Sequence, residues 1–392
     1  MNDLKSPLLS ADLNGQRVLL RADLNVPLSN GSILSDARLK AIVPTLNLIL
    51  EKGGKIILIT HIGRPKDQEI TLSTKTLLPW FAKHGYSCVF ENDLASAYAK
   101  SFHDPKTILL IENLRFYAGE KQNDAAFAQA LARLGDIYVD DAFGNLHHSD
   151  CSMVGVPQLF SRQKRMFGLL IEREISQANK LIHNPAHPFV GIIGGNKIKD
   201  KIPLITNLLN KIDTLILCPA LVFSYLKSEG KQVGSSLVDQ ESFSACQNLK
   251  KNAQSHDVSI ILPIDYLVSS KGFEGPYTIK KADQLTNGDF GISIGPETEK
   301  LFSEIIRKSK TSFYNGLMGD LSFPQTLQGI RAIFEAMATS NGYTVVGGGD
   351  STAAAEKLGF SDRLSNLSTG GGALIAYLSG EKLPALELLL SK

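Results

Sequence analysis

Residues 345–352 read "VVGGGDST" and lead directly into "AAAEKLG". An apolar strand pattern is followed here by three glycines, an aspartate and an alanine-rich helical pattern. Asp350 or Ser351 could cap that helix, since both residue types accept hydrogen bonds from the free amides at a helix start. Small residues at this place would also let an anion approach those amides. The stretch predicts a strand-to-helix turn, and a phosphate site is the more specific alternative.

Length and composition predict a cytoplasmic globular protein of two domains. At 392 residues the chain exceeds the size at which one core keeps growing, and its 43% hydrophobic and 20% charged residues are ordinary values. The formal net charge of +2 is not that of a nucleic-acid binder, so an anion site would have to be local. The sequence shows no signal-peptide pattern, no apolar run of membrane-spanning length and no CxxC pair among its four cysteines.

Two series of apolar runs alternate with helical patterns along the chain. The first series extends from "RVLLRADL" (17–24) to "DIYVDDAF" (136–143), and the second from "FVGIIGG" (189–195), through "SIILPIDYLV" (259–268), to "YTVVGGG" (343–349). Apolar strands separated by helices are typical of parallel sheets covered on both faces. We predict an α/β fold with two doubly wound, Rossmann-like three-layer domains, joined by a connecting helix and separated by a cleft.

The predicted domain boundaries follow from the helical pattern "FGLLIEREISQANKLIHNP" (167–185), which separates the two series. We assign residues 1–170 to an N-terminal domain, residues 171–185 to the connecting helix and residues 186–379 to a C-terminal domain. The last segment, 380–392, is amphipathic and could pack on either domain.

Polar residues follow several predicted strands of the first half. Ligands bind beyond the carboxyl ends of parallel strands, so these positions are candidate site positions. Each arginine alone could be ordinary solvated surface charge. Together they favour a small, strongly anionic ligand, because guanidinium groups bind phosphate and carboxylate. The candidates are Arg21, Asp23, Asn25, Arg38, His61, Arg64 and Arg115.

The second half is instead rich in glycine turns beside predicted strands. "IIGGNKIKDKI" places Lys197 and Lys201 on one helical face, although Asp200 could simply neutralise them. "NGLMGD" and "STGGGA" are further turns of this kind. Together with Asp350, which could hold a metal ion, they favour a nucleotide's phosphates and Mg²⁺. The sequence has no GxxxxGK[ST] motif and no GxGxxG dinucleotide fingerprint.

An anion site in one half and a nucleotide site in the other indicate phosphoryl transfer. The sequence shows no activated nucleophile such as a GxSxG serine. Phosphoryl transfer relies mainly on positioning and charge stabilisation, which arginine, lysine and Mg²⁺ supply. Closure of the two halves about the connecting helix is expected, because water must be excluded from the reacting group.

The same motifs, in this order, resemble those of the phosphoglycerate kinase family over essentially the whole chain. "RADLNVP" is similar to the family's RVDFNVP, and "HIGRP", "ENLRF", "DAFG", "GGNKIKDKI", "NGLMG", "GGGDS" and "STGGGA" match its other motifs. The resemblance implies reversible phosphoryl transfer between 1,3-bisphosphoglycerate and ADP, giving 3-phosphoglycerate and ATP, with Mg²⁺ and by direct in-line transfer on hinge closure. It also implies a cytoplasmic monomer of glycolysis, whose segment 380–392 returns to the first domain.

The resemblance also assigns roles to individual residues. The catalytic residues would be Arg38, Lys197, Gly349 and Gly372, and Asp350 would hold the metal ion. The phosphoglycerate would be bound by Asp23, Asn25, Arg38, His61, Arg64, Arg115 and His148. The nucleotide would be bound by Gly195, Lys197, Lys201, Asn315, Gly348, Gly349, Asp350 and Ser351.

The sequence departs from the family pattern after "DAFG", where the family has TAHRAH. His148 replaces the arginine of that motif and Asp150 replaces its last histidine. If Asp150 points into the site, it would oppose anion binding by about 1 kcal/mol or a few at contact distance. We therefore expect altered substrate affinity.

Further departures lie on the nucleotide side. "CPAL" (218–221) replaces the family's GGGM, and Ser322 stands where the family has a glutamate expected at the ribose. Asn196 and Ser293 replace an alanine and an aspartate. Because Arg38, Lys197 and Asp350 are retained, we expect an active enzyme.

Two other hypotheses remain open. A non-enzymatic nucleotide-binding or regulatory relative would be expected if the altered segment 147–150 abolishes turnover. An unrelated oxidoreductase could use a similar doubly wound scaffold, and it would prefer NAD to ADP.

Overall fold

The computed structural model describes residues 4–29, 31–102, 104–195 and 198–391. The chain forms two compact units. The first comprises Met1–Ser176 and Lys382–Lys392, and the second comprises Gln177–Glu381. No helix within these described ranges combines the length and the apolar character needed to span a membrane.

The first unit is built on a six-stranded parallel sheet. Its strands are β1 (Arg17–Ala22), β4 (Lys55–Ile59), β5 (Ser87–Glu91), β6 (Thr107–Ile111), β7 (Ile137–Asp141) and β8 (Arg165–Phe167), and a small hairpin is formed by β2 (Leu28–Ser29) and β3 (Ser32–Ile33). The sheet order is β5-β6-β4-β1-β7-β8. The side chains of Val18 to Leu20 and Ile56 to Ile59 are completely buried. This is the burial expected of strands covered on both faces.

Helices surround this sheet. They are α1 (Ala37–Glu51), α2 (Leu78–Lys83), α3 (Leu94–Lys100), α4 (Ala118–Gln122), α5 (Ala125–Ala132) and α6 (Val156–Gln158). The next helix, α7 (Leu169–Ile182), contains the boundary between the two units. The predicted boundaries at residues 170, 185 and 379 stay predictions.

The second unit has its own six-stranded parallel sheet and a smaller antiparallel one. The parallel sheet has the order β11-β10-β9-β15-β16-β17, and the antiparallel sheet has the order β13-β12-β14. The strands are β9 (Phe189–Gly195), β10 (Thr214–Ala220), β11 (Ser259–Ile261), β12 (Asp265–Ser269), β13 (Tyr277–Lys281), β14 (Phe290–Ile294), β15 (Thr311–Asn315), β16 (Tyr343–Gly347) and β17 (Asn366–Leu367).

The helices of the second unit cover a core with a chain of aromatic contacts. They are α8 (Ile202–Leu208), α9 (Leu221–Ser228), α10 (Phe243–Ser255), α11 (Pro296–Lys308), α12 (Gln328–Ala338), α13 (Gly349–Lys357) and α14 (Gly372–Leu378). Tyr314 packs edge-on against Phe334 at a centroid distance of 5.1 Å, and Phe334 packs against Phe360 at 5.7 Å. The predicted α/β fold with two parallel-sheet domains is confirmed.

One apolar run of the second half forms two strands in different sheets. Residues 259–268 divide into β11, in the parallel sheet, and β12, in the antiparallel sheet. Pro263 lies between them. Proline has no N–H group and interrupts a sheet ladder, so hydrophobicity alone did not locate this break.

The last helix, α15 (Pro384–Leu390), belongs to the first unit. The amide of Ala385 donates to the carbonyl of Leu146 at 3.3 Å, and Arg165 Nη2 donates to Ser391 Oγ at 2.7 Å. The C-terminal segment thus contacts the stretch that follows "DAFG".

Parallel pairing brings the carboxyl ends of the strands to one edge of each sheet. In the first unit, Arg21 pairs with Ile59 and Ala22 with Asp141. In the second unit, Asn315 pairs with both Ile193 and Gly347. The segments that follow these residues are therefore neighbours.

Candidate active site

In the first unit, the segment after β1 positions an arginine through an aspartate. Arg38 Nη1 donates to both carboxylate oxygens of Asp23, at 2.5 Å each. Asp23 is only 4% exposed, whereas the Arg38 side chain is 28% exposed. This contact uses Nη1, and it leaves Nε and Nη2 for a second, anionic partner.

The segment after β1 is also tied to the segment after β4. Asn25 Oδ1 accepts a hydrogen bond from the amide of Gly63 at 2.7 Å, and the amide of Leu24 donates to Thr60 Oγ1 at 3.0 Å. Asn25 therefore fixes the "HIGRP" turn with its carbonyl oxygen. Its Nδ2 group is the part that could meet a ligand.

His61 is neutral and almost fully buried, with 2% of its surface exposed. Its Nδ1 lies 3.0 Å from Arg21 Nη2. A guanidinium only donates, so Nδ1 accepts and the ring proton lies on Nε2. Burial, and then the charges of Arg21 and Arg115, hold the pKa of His61 well below its usual range.

Arg21 itself is completely buried. Its Nε donates to Ser152 Oγ at 2.9 Å, and Ser152 Oγ donates to Glu120 Oε1 at 2.6 Å. Burial raises the pKa of Glu120, whereas the Arg21 charge lowers it. Arg21 thus orients His61 and is not placed to contact a ligand directly.

Arg115 lies beside a carboxylate that the family pattern lacks. Its Nη1 donates to the carbonyl of Gly63 at 2.6 Å, and its Nη2 lies 3.9 Å from Asp150 Oδ2. Lys121 Nζ donates to both oxygens of Asp150, at 3.0 and 3.1 Å. Asp150 therefore points into the basic cluster, where it is paired with cations.

The predicted residues Arg64 and His148 belong to the same basic cluster as Arg115. Burial lowers the pKa of Arg115, the Asp150 carboxylate raises it, and the charge of exposed Arg64 lowers it again. Burial, followed by the neighbouring His147, lowers the pKa of His148 to about 4. His148 is therefore neutral at pH 7 and does not supply the charge of the arginine that it replaces.

In the second unit, the end of β9 and the turns after β15 and β16 pack so closely that they require glycine. A β-carbon on Gly316, whose φ is +105°, would lie 2.1 Å from the carbonyl oxygen of Gly194. One on Gly348, whose φ is +101°, would lie 2.7 Å from Asn315 Nδ2. Gly195 also has a positive φ, of +93°. Only glycine adopts such conformations readily.

Side chains then link these turns. Asn315 Nδ2 donates to the carbonyl of Gly347 at 2.7 Å, and the amide of Gly316 donates to Ser351 Oγ at 2.9 Å. Lys201 Nζ donates to Asn315 Oδ1. Burial lowers the pKa of Lys201, whereas Asp200 and Asp350 raise it. Asn315 and Ser351 thus hold the turns in place, and Lys201 is fixed beside them.

The starts of two helices lie side by side in the second unit. Helix α13 begins at Gly349 and α14 at Gly372. A β-carbon on Gly371 would lie 3.7 Å from the amide nitrogen of Gly349, whereas one on Gly349 would have no described atom within 4 Å outside its chain neighbours and the backbone of its own helix. The first amides of a helix have no partner within it. The first N–H groups of α13 and α14 therefore lack partners in their own helices, and such groups suit a phosphate.

Asp350 is the exposed carboxylate of the first turn of α13. Among the described residues, no group of three or more His, Cys, Asp and Glu side chains could form a metal site. Mg²⁺ is commonly held by one or two carboxylates together with substrate phosphates and water. A single aspartate beside these helix starts fits a Mg²⁺ ion that arrives with a nucleotide.

Among the residues that depart from the family pattern on the nucleotide side, Cys218 and Ser293 are buried in the protein and Ser322 is exposed. Cys218 is completely buried in the core, where it packs behind Gly194. Ser293 is 1% exposed. Ser322 is exposed, and its amide donates to Asp320 Oδ1 at 2.7 Å.

Lys197 and Asn196 lie outside the described residues. Sequence reasoning did not single out Lys121, Glu120 or Ser152. These residues do not directly follow a strand, so the rule that ligands bind beyond strand ends does not identify them as site residues.

Comparison with known proteins agrees with this arrangement. The family model "Phosphoglycerate kinase" matches residues 8–381. The curated phosphoglycerate kinase of Clostridium tetani is 36% identical over an alignment of 396 positions, which covers 99% of this chain and 98% of that protein. That of Dictyoglomus turgidum is 38% identical over an alignment of 394 positions, which covers 98% of each chain.

Solved structures give the same result. The phosphoglycerate kinase from Coxiella burnetii aligns with a TM-score of 0.84 at 33% identity, over 97% of this chain and 96% of that one. The enzyme from Pyrococcus horikoshii aligns with a TM-score of 0.81 at 25% identity, over 97% of each chain. The chain belongs to the phosphoglycerate kinase family.

Proposed function

We propose that this chain catalyses the reversible transfer of a phosphoryl group between 1,3-bisphosphoglycerate and ADP, giving 3-phosphoglycerate and ATP in glycolysis. It is thus a phosphotransferase with a carboxyl group as acceptor. The observation that carries the proposal is the match to the family over residues 8–381. The guanidinium cluster of the first unit and the paired helix starts of the second supply the chemistry that this reaction needs.

The first unit binds the phosphoglycerate. Arg64 and Arg115 contact its phosphate, since guanidinium groups form charge-assisted hydrogen bonds with phosphate oxygens. Neutral His61 donates from Nε2, because its Nδ1 is occupied by Arg21. The remaining contacts to the phosphoglycerate are made by Asn25, His148 and the carboxylate of Asp23.

Arg38 acts on the phosphoryl group in transfer. The buried carboxylate of Asp23 fixes Nη1, so the rest of the guanidinium is oriented before substrate binds. Preorganised donors stabilise developing charge without reorganisation during the reaction. Lys197 shares this role by resemblance to the family.

The second unit holds the nucleotide through its phosphates. The amides of Gly348, Gly349 and Gly372, with Gly195 in the adjacent turn, approach the phosphate oxygens, and Lys201 adds a positive charge. Asn315 and Ser351 support the turns. Asp350 holds the Mg²⁺ ion, which when bound neutralises part of the phosphates' charge.

The reaction is a direct in-line transfer. The bond between phosphorus and the acyl oxygen of 1,3-bisphosphoglycerate breaks while a β-phosphate oxygen of ADP forms a bond to the same phosphorus. The carboxylate leaves as part of 3-phosphoglycerate, and no protein side chain is phosphorylated. Closure of the two units during catalysis excludes water. By resemblance to the family, the enzyme acts as a cytoplasmic monomer.

Turnover by the purified chain tests this function. ATP formation from 1,3-bisphosphoglycerate and ADP, followed by a coupled assay, is expected with the unmodified chain and is expected to be lost in Lys197→Ala. Absence of turnover together with ADP binding would instead indicate a non-enzymatic binder. Titration with ADP and NAD provides a second test, because a preference for NAD would contradict the kinase.

A further inference from the structure

Asp150 is a buried carboxylate inside the basic cluster of the first unit. It is only 6% exposed, and both of its oxygens accept from Lys121 Nζ, at 3.0 and 3.1 Å. Buried carboxylates are normally paired with cations, and Asp150 takes its partners from the cluster that would bind a substrate phosphate.

Arg115 is the second partner of Asp150, but the contact is looser. Its Nη2 lies 3.9 Å from Asp150 Oδ2, which is beyond hydrogen-bond distance. Arg115 Nε is buried and has no hydrogen-bond partner within the described residues. Arg115 is therefore attracted by Asp150 while it keeps donors that another anion could use.

Lys121 differs from Arg115 in its exposure. The Lys121 side chain is 53% exposed and that of Arg115 is 9% exposed. A half-exposed lysine on a flexible stem can change partners at little cost. Asp150 thus neutralises two cations. Arg115 is held in place by burial, whereas Lys121 can exchange Asp150 for another anion.

We propose that Asp150 is a specificity-determining residue that acts as an internal counter-anion, competing with the substrate phosphate for Arg115 and Lys121. This inference rests on the proposed function, because it assumes that the first unit binds phosphoglycerate. Asp150 lowers the affinity of that unit for anions, and Lys121 becomes an additional phosphate ligand when the Asp150 charge is absent.

Binding titrations with the full chain test this inference. We expect Asp150→Asn, which keeps the shape of the side chain, to bind 3-phosphoglycerate about five- to tenfold more tightly, since one like charge at contact distance changes affinity by about fivefold or more. Inorganic phosphate should show the same direction. ADP affinity should be unchanged. Unchanged or weaker 3-phosphoglycerate binding by the folded variant would overturn the inference.

Two further variants complete the experiment. Asp136→Asn is the matched control, because Asp136 pairs with Arg17 at 2.7 Å at the opposite end of β1, and it should leave anion binding unchanged. Lys121→Gln leaves Asp150 with Arg115 alone and should weaken 3-phosphoglycerate binding several-fold. If Asp150→Asn does not fold, Lys121→Gln decides the question, and unchanged binding by it would refute the proposal.

Failure of this inference can be distinguished experimentally from failure of the proposed function. Absence of turnover by the unmodified chain would refute the kinase, but the comparison of 3-phosphoglycerate affinities would still show whether Asp150 opposes the anion. Normal turnover with equal affinities in both proteins would refute only the role of Asp150.

Discussion

Arg38 Nη1 lies 2.5 Å from both carboxylate oxygens of Asp23. Asp23 is buried and Arg38 is partly exposed, so the carboxylate fixes one end of the guanidinium. We predict that Arg38→Ala lowers kcat by about a hundredfold or more, because it removes a donor to the group in transfer, while ADP affinity changes little. Asp23→Asn should lower kcat less than Arg38→Ala does.

Steady-state kinetics and calorimetric ADP titrations of the two variants check this prediction. Equal losses of turnover and of ADP affinity in Arg38→Ala would show that Arg38 does not act where we place it.

Substitutions at two glycines of the second unit should have different effects, one on folding stability and the other on ADP binding. Gly316→Ala should lower the free energy of unfolding by about 2 kcal/mol or more, because its φ is positive and its β-carbon would meet the carbonyl of Gly194. Gly349→Ala should leave stability nearly unchanged, since its β-carbon would crowd none of the described residues outside its own helix and chain neighbours. It should instead weaken ADP binding several-fold, because the added methyl group occupies the phosphate's approach to the helix start.

Denaturant unfolding and ADP titration of both glycine variants provide the measurement. If Gly349→Ala bound ADP as tightly as the unmodified chain, the phosphate site would lie elsewhere.

The buried carboxyl group of Asp141 predicts a pH dependence of stability. Burial raises the pKa of Asp141 from 3.8 to about 7, although the amide of Ile171 donates to its Oδ1 at 3.1 Å. Between about pH 4 and pH 7 the folded state therefore binds a proton that the unfolded state has lost. The contribution to stability is fully present below pH 4 and is lost as the pH rises towards 7.

Asp141→Asn tests this pH dependence. Unfolding midpoints measured from pH 4 to pH 7.5 should decline less with rising pH in the variant than in the unmodified chain. Some decline should remain, because burial also raises the pKa of Asp140, to about 6. Identical pH profiles would contradict the assignment.

His148 is predicted to limit substrate affinity. Its pKa of about 4 leaves the ring neutral at pH 7, and the ring lies against that of His147 with 3.9 Å between the centroids. His148→Arg should tighten 3-phosphoglycerate binding several-fold by adding a positive charge, with ADP binding as the control. No change in 3-phosphoglycerate affinity would show that this side chain does not face the substrate.

Part of the candidate site could be predicted from the sequence for a simple physical reason. Asp23, His61 and Arg115 follow parallel strands, and the pairing register brings the ends of such strands together. The glycine-rich turns could also be predicted from the sequence, because positive φ values and close backbone approach leave few alternatives to glycine.

Other features depended on contacts that no local pattern encodes. The pairing of Lys121 with Asp150 joins residues 29 positions apart in the chain, and neither follows a strand directly. The division of residues 259–268 between two sheets likewise depended on Pro263 and on the partners that each half found. Sequence reasoning could state that Asp150 was a departure, but not that it was paired.

Direct transfer between two bound substrates is the central claim, and the fate of a labelled phosphoryl group tests it best. The chain is incubated with ATP labelled in its γ-phosphoryl group, Mg²⁺ and 3-phosphoglycerate, and the acyl phosphate is trapped with hydroxylamine. We predict that the label leaves ATP only when 3-phosphoglycerate is present and that none is retained on the protein. Label released as inorganic phosphate at a similar rate without 3-phosphoglycerate, or label bound to the protein, would contradict the account.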